Sequence, residues 1–347
     1  PVLSAEVPAA KPPPVALLEL PPRPVIAVAP LAGEVPASRR GAVADALRVF
    51  LDLDPQHHLS VPLPTLQDLD IALTPDMDPT GLARAGRALG HVDALVSGTV
   101  DADGVELVVT STHDGRELGR FRVQGDPEHP VSLARDAAQR LLEAMGSALP
   151  PAPPTLTRDP DAYAAYLGAL EAARGGDADQ TSEHLAEALR RDPGFDLARY
   201  SRLSVLRAQR RLDDVSTAGQ ALLADTPGLA PRLRSLVQAW VAYAAHDGAR
   251  TIALLTDHLT RWPYDIEAYQ VLLVVRFHDP RHRDLAAAEE LARQLVAVAP
   301  RNETGISRLV RALAWRGKVD DAAQALRDLG LPRDDPRFAE IWGELAL

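Results

Sequence analysis

The sequence predicts an α+β N-terminal domain joined to an all-α solenoid of helical repeats, and three observations carry that prediction. Two proline-rich segments, 8–24 and 149–154, divide the chain. Between them, Asp103-Gly104 and Asp114-Gly115 lie eleven residues apart, each flanked by strand-like apolar runs, the strongest short-range signal for hairpins. Beyond the second proline segment, small residues, tight turns and helix-ending prolines recur about every 34 residues, the spacing of a stacked helix pair.

The expected divisions are a proline-rich disordered tether over 1–23, an α/β domain over 24–148, a proline-rich linker over 149–158 and a repeat array over 159–347. Proline fixes φ and cannot continue a helix, so both proline segments read as extended connectors. The α/β domain begins with the apolar run 24–31, a buried strand. A helix follows over 38–51, with Val43, Leu47, Phe50 and Leu51 at helical spacing and Ser38 as its N-cap. Residues 59–63 read as a second strand and 80–89 as a shorter helix. The runs 94–100, 105–111 and 117–123 then form a three-stranded antiparallel meander closed by type I′ turns at the Asp-Gly pairs. A helix over 132–145, with Leu133, Ala137, Leu141 and Leu142 on one face, completes the domain.

The run Val25-Ile26-Ala27-Val28-Ala29-Pro30-Leu31, then Leu89-Gly90-His91-Val92-Asp93-Ala94-Leu95-Val96-Ser97-Gly98-Thr99-Val100 and the hairpins after it, resemble the N-terminal α/β domain of TolB and FlgO-like proteins. The resemblance spans about a third of the chain. It implies a bacterial envelope or signalling setting, because similar modules precede repeat arrays in membrane-bound Ser/Thr kinases, cyclases and transcription activators.

In the array, the first unit has Leu167-Gly168 at a tight helix crossing, a turn at Gly175-Gly176-Asp177, and Leu185, Ala188, Leu189 and Asp192-Pro193 in its second helix. The second is degenerate: Leu203-Ser204 replaces Leu-Gly and the turn is expected at 211–215. The third has Ala239 at the small position and a turn at His246-Asp247-Gly248. The fourth has Tyr269 and Leu272 before an expanded turn over 277–284 and ends at Ala299-Pro300. The fifth carries Leu309, Leu313, Gly317-Lys318 and Leu326, and 336–347 reads as a terminal capping helix. The pattern resembles the tetratricopeptide (TPR) repeat, a solenoid of antiparallel helix pairs that implies protein binding.

Composition narrows the function. The formal charge is −11 and no block of positive charge interrupts it, so nucleic acid is not expected as a partner. Only Lys11 and Lys318 are lysines, and arginine supplies nearly all the positive charge, a bias of GC-rich bacterial genomes. Cysteine is absent, which removes disulfides, thiolate nucleophiles and Cys-ligated zinc. No apolar run approaches the roughly 18–20 residues of a membrane span. The opening at Pro1, without initiator Met or signal peptide, points to a processed or trimmed chain that lacks an N-terminal signal or anchor.

Catalytic motifs are not found. Gly317-Lys318 lacks the upstream glycine and the Ser/Thr of a P-loop, and Ser97-Gly98 lacks the preceding glycine of a nucleophile elbow. The stretch 101–106 stops too early for a calcium loop. His278-Asp279-Pro280-Arg281-His282 is the densest histidine cluster, but Pro280 favours a loop over a metal-binding helix face. The pair His57-His58 near Asp52 and Asp54, and the acidic pairs Asp68/Asp70 and Asp76/Asp78, read as solvated surface. No cofactor and no metal are expected.

What remains is a partner-binding inner face on the array. By register it contains Trp240, Tyr243, Gln270, Phe277, Ser307 and Arg311, where aromatic and Arg side chains anchor an extended peptide. Inter-repeat packing is the competing role for Trp240, Tyr243 and Phe277, which leaves Arg311 the best single candidate. The expected function is a non-catalytic protein–protein interaction scaffold or sensor module of a bacterial membrane-associated assembly, on the periplasmic side. The alternative is the regulatory C-terminal region of a larger signalling enzyme, such as a membrane-bound Ser/Thr kinase. The expected partner is a protein or peptide.

Overall fold

The computed structural model describes residues 17–53, 59–60, 81, 92–149, 156–300, 302–328 and 343. The expected helix over 80–89 (Gly81 apart), His57-His58, the pairs Asp68/Asp70 and Asp76/Asp78, most of the proline linker and all but Gly343 of the capping helix lie outside these residues, as does the tether up to residue 16.

The α/β unit is built on a five-stranded sheet in the order β2-β1-β3-β4-β5. Its strands are β1 (Val25–Val28), β2 (Leu59–Ser60), β3 (Ala94–Asp101), β4 (Gly104–Ser111) and β5 (Glu117–Gln124). Strand β1, inside the sheet, pairs in parallel with β2 and β3 and is buried along its whole length, as a strand covered on both faces must be. The meander β3–β4–β5 is antiparallel. Helices α1 (Ala37–Leu51) and α2 (Pro130–Ala144) pack side by side, α1 against β1 and β2, α2 against β4 and β5. Val43, Leu47, Phe50, Leu51, Leu133, Ala137, Leu141 and Leu142 are all buried beneath them.

Three local expectations are corrected. Helix α1 starts at Ala37 behind Pro36, so Ser38 lies inside the first turn and makes no N-cap bond. In the first hairpin Asp101 pairs with Gly104, which moves the two-residue turn back to Ala102-Asp103. Gly104 opens β4 at φ +149°, where a Cβ would collide with the Val123 carbonyl oxygen; glycine is needed there for close approach, not for a type I′ turn. In the second, Gly115 takes φ +77° within a longer loop, closed by bonds from Gly115 N to Ser111 O and from Ser111 N to Arg116 O. The end of the expected tether is also fastened. Leu18 N donates to Ala144 O at 2.7 Å, and Glu19 pairs with Arg116 at 2.8 Å.

The array consists of five successive helix pairs among the described residues. These are α3 (Pro160–Arg174) with α4 (Ala178–Arg191), α5 (Asp196–Ala208) with α6 (Leu212–Asp225), and α7 (Pro231–Ala244) with α8 (Gly248–Arg261). They continue with α9 (Ile266–His278) and α10 (Leu285–Val298), then α11 (Glu303–Trp315) and α12 (Val319–Asp328). Each helix packs on its sequence neighbours, which makes a TPR-like helical array. Its turns repeat one hydrogen-bond pattern. Within four of the pairs a residue at positive φ follows the first helix: Gly176, Arg210, His246 and Gly317. The next N–H bonds back to a carbonyl five residues earlier, as Asp177 to Ala172, Arg211 to Leu206, Asp247 to Ala242 and Lys318 to Leu313. This is the Schellman closure of a helix C-terminus. It places the second turn at 209–211, ahead of the expected 211–215, which instead begins α6. The fourth pair carries the expanded loop, 279–284. Side-chain caps start most of the remaining helices, with Asp159, Asp177, Asp247, Asp265, Asp284 and Asn302 each accepting a bond from the first turn.

Candidate functional site

The first helix of each pair contributes to the inner face of the array, and the α/β unit covers part of that face. Helix α1 lies against α3, with Tyr163 Oη donating to the Ala42 carbonyl at 3.3 Å. Asp45, Arg48 and Val49 of α1 thereby roof a cavity of about 440 Å³ whose walls include Tyr166, Tyr200, Arg232 and Glu267. Residues of α1, the sheet and the first repeats belong to one continuous hydrophobic core, so this contact is part of the packing. Burial raises the Tyr163 and Tyr200 phenols and pushes Tyr166 up to about 12, so all three remain neutral.

Several polar groups in this region are bound to one another. Tyr200 Oη donates to the Glu267 carboxylate, and Ser204 Oγ approaches the same group at 3.3 Å. Below them, Asp265 is 1% exposed and takes three roles. It accepts from Arg232 Nε at 2.7 Å, meets His258 Nε2 at 3.0 Å, and caps α9 by accepting from Glu267 N at 3.2 Å. Burial alone would raise its pKa; the charge of Arg232 and the bond from His258 overcome that, and the carboxyl is held well below the usual range. Arg232 is desolvated too, but the facing Asp265 carboxylate raises its pKa. A buried pair with these bonds locks α7, α8 and α9 together.

Along α9, Glu267, Gln270, Val274 and His278 recur at helical spacing on one stripe. The stripe leads out of the cavity, through Glu267, into an open cleft of about 720 Å³ lined by Tyr243, His246, Val274, His278 and His282. The two histidines of the 278–282 cluster part here. His278 Nε2 accepts from Arg308 Nη1 at 2.8 Å, whereas His282 Nδ1 is 3.0 Å from Asp279 Oδ2. The Asp279–His282 pair packs so closely on Gly248 that any Cβ there would meet it. Arg308 also lies over the Phe277 ring at 5.1 Å, and Arg283 over the Trp315 ring at 5.6 Å. Phe277 and Trp315 meet edge to face at 5.7 Å.

The residues singled out by register are dispersed by this geometry. Trp240 is 0% exposed, stacked on Tyr200 at 4.9 Å with Arg207 over its ring. Phe277 is likewise buried. Both serve packing, and neither is presented to a partner in this conformation. Tyr243, Gln270, Ser307 and Arg311 are half-buried, on the first helices of the third, fourth and fifth pairs. The sequence marks His278 only as part of a histidine cluster and gives no prominence to Arg283, Arg308 or Trp315. Arg308 and Arg311, three apart on α11, were a legible signal; the approach of Arg283 to Trp315 across the expanded loop was not.

No protein-family model matches the chain, and no curated protein matches it. Solved structures with some likeness include MamA (41-end) from Desulfovibrio magneticus RS-1, at 16% identity and TM-score 0.36, covering 52% of this chain and 99% of that one. PilW, described as a widely conserved type IV pilus biogenesis factor, has 14% identity and TM-score 0.38, covering 55% of this chain and 100% of its own. Yeast Tom70 has 11% identity and TM-score 0.38 over 90% of this chain, which spans 60% of Tom70. The assignment of the array rests on its own helix pairs and turns.

Proposed function

We propose that this chain is a non-catalytic protein–protein interaction scaffold of a bacterial membrane-associated assembly, and that it engages its partner through the inner face of the fourth and fifth helix pairs. The observation that carries the reading is the unequal coverage of that face. Helix α1 roofs the cavity at one end, while the cleft beside Tyr243, Val274 and His278 opens to solvent. Arg311 is near enough to His278 to act on its charge, and Gln270 and Ser307 are half-buried on α9 and α11, the first helices of the same two pairs. A bacterial origin is supported by the arginine-over-lysine bias, and an envelope setting by the resemblance of 25–31 and 89–100 to the N-terminal domain of TolB and FlgO-like proteins. No helix among the described residues is long and apolar enough to cross a membrane.

Site-directed photo-crosslinking in the native host tests the proposal. A photoreactive residue at Ser307 is expected to trap a discrete partner that the same probe at Gln294, exposed on α10, does not. Identical patterns from the two positions would refute the assignment of the face.

A further inference from the structure

The open end of the inner face gathers positive charge in a chain whose formal charge is −11. His278 lies within the field of Arg308, Arg283, Arg210 and Arg311, in that order of strength. These residues come from the ends of α5 and α9, from the expanded loop and from α11, so folding rather than sequence proximity assembles them. The protein's other arginines commonly sit in ion pairs, as Arg120, Arg122, Arg190 and Arg199 do. Among the described residues, Arg210, Arg283 and Arg308 make no ion pair with a carboxylate.

Neighbouring carboxylates are engaged elsewhere. Asp279 is held by His282 and by the backbone of Arg281. Asp284 caps α10. Glu289 bonds Arg293, Arg316 and Lys318. Burial and then the adjacent Arg311 charge lower the Arg308 pKa, while burial followed by the four arginines lowers that of His278. The imidazole is therefore the acceptor for Arg308 and offers the guanidinium no counter-charge. Beside this cluster, Trp315 is 50% exposed, more than any other large hydrophobic side chain among the described residues of the array, with Arg283 over its ring.

Resting on the scaffold reading above, we propose that this cluster docks an acidic segment of a partner protein, with its carboxylates paired to Arg283 and Arg308 and an aromatic side chain laid against Trp315. Guanidinium groups suit this task because the planar fork pairs a carboxylate in two bonds while its face stacks on a ring. Concentrated arginines such as Arg283 and Arg308, which have no carboxylate partner among the described residues, also attract such a segment at long range, so binding is salt-sensitive.

Fluorescence anisotropy with the full chain tests this, using as probe a labelled twelve-residue peptide of Glu and Asp around one central Trp, capped at both ends. The wild-type chain is expected to bind it at low salt, more weakly as salt rises, and to ignore the same peptide with Gln and Asn for the acids. The double variant Arg283→Gln/Arg308→Gln should weaken binding at least about tenfold, and Trp315→Ala by several-fold, with unchanged circular dichroism for both. Should Trp315→Ala prove unstable through loss of Phe277 packing, the arginine variant alone carries the test. Equal affinity for the acidic and neutral peptides, equal affinity of wild type and double variant, or no binding of the acidic peptide each overturns the proposal. If the peptide fails while Ser307 still crosslinks a partner, the acidic specificity falls and the scaffold stands; if both fail, both fall.

Discussion

Replacing Asp265 should cost the array more than any surface substitution, and the structure sets the size. The carboxylate is 1% exposed and faces Arg232, whose side chain is 14% exposed. Removing one partner of such a pair leaves a desolvated charge and typically costs about 3–5 kcal/mol. Because Arg232 keeps some solvent and Asp52 adds a weaker field, the low end, about 3 kcal/mol, is expected for Asp265→Asn. Asn still caps α9, whereas Asp265→Ala also loses the cap for about 1 kcal/mol more. At about 2–4 °C per kcal/mol for a unit of this size, Asp265→Asn should lower the midpoint of thermal unfolding by about 6–12 °C, and Asp265→Ala by more. The pH dependence has a fixed sign. The folded pKa lies below the unfolded value of about 3.9, so the stabilisation is complete above pH 4 and is lost as pH falls toward the folded value. The gap between wild type and Asp265→Asn should therefore be constant from about pH 5 to 7 and close under stronger acid. Thermal melts by circular dichroism across that range are the assay. A loss below about 1 kcal/mol at pH 7, or a gap that widens under acid, would refute the account of a buried, charge-stabilised pair.

Three further substitutions separate packing from presentation. Trp240→Ala should destabilise by about 3–5 kcal/mol through the cavity left beside Tyr200, measured by denaturant midpoint; a neutral result would mean the indole is not packed as described. Glu289→Gln should loosen α10 from the α11–α12 turn by about 1–2 kcal/mol through weakened bonds to Arg316 and Lys318. Although burial opposes it, bonds from Lys318 and Arg293 keep the Glu289 pKa low, so that contribution fades only as pH falls below about 4.3. His246→Gly should stabilise by about 1 kcal/mol, because His246 is exposed and holds φ +58° at a turn where the first and fifth pairs use glycine; a lower melting midpoint would contradict this.

Elements set by local periodicity were legible in the sequence. The buried faces of α1 and α2 and the glycine turns of the first and fifth pairs follow from spacing and backbone freedom alone. Turn chemistry was less legible. Arg210 and His246 occupy the positive-φ position of the second and third pairs, where no glycine marks it, so the second turn was placed too late. Asp103-Gly104 marks a hairpin, but the glycine serves close strand approach and not the turn. Trp240 and Phe277 show a deeper limit. A helix register says which residues share a stripe, but curvature of the array decides whether the stripe meets solvent or the next helix.

Coverage by α1 explains why the candidate site lies at one end. Glu267 and His278 share a stripe of α9, yet one lines the cavity roofed by α1 and the other the cleft beyond that roof. The difference arises because α1 reaches across the first repeats and its roof ends before the C-terminal turn of α9. Within the roofed part, opposite charges are matched: Arg48 with Asp45, Arg232 with Asp265. Uncompensated charge there would have to be desolvated at several kcal/mol per ion. Beyond the roof that constraint relaxes, because water screens an arginine without a partner at little cost. Internal pairing satisfies those covered charges, whereas Arg283 and Arg308 have no carboxylate partner among the described residues and cluster beside the exposed Trp315 ring, so they have binding energy left to give to another molecule.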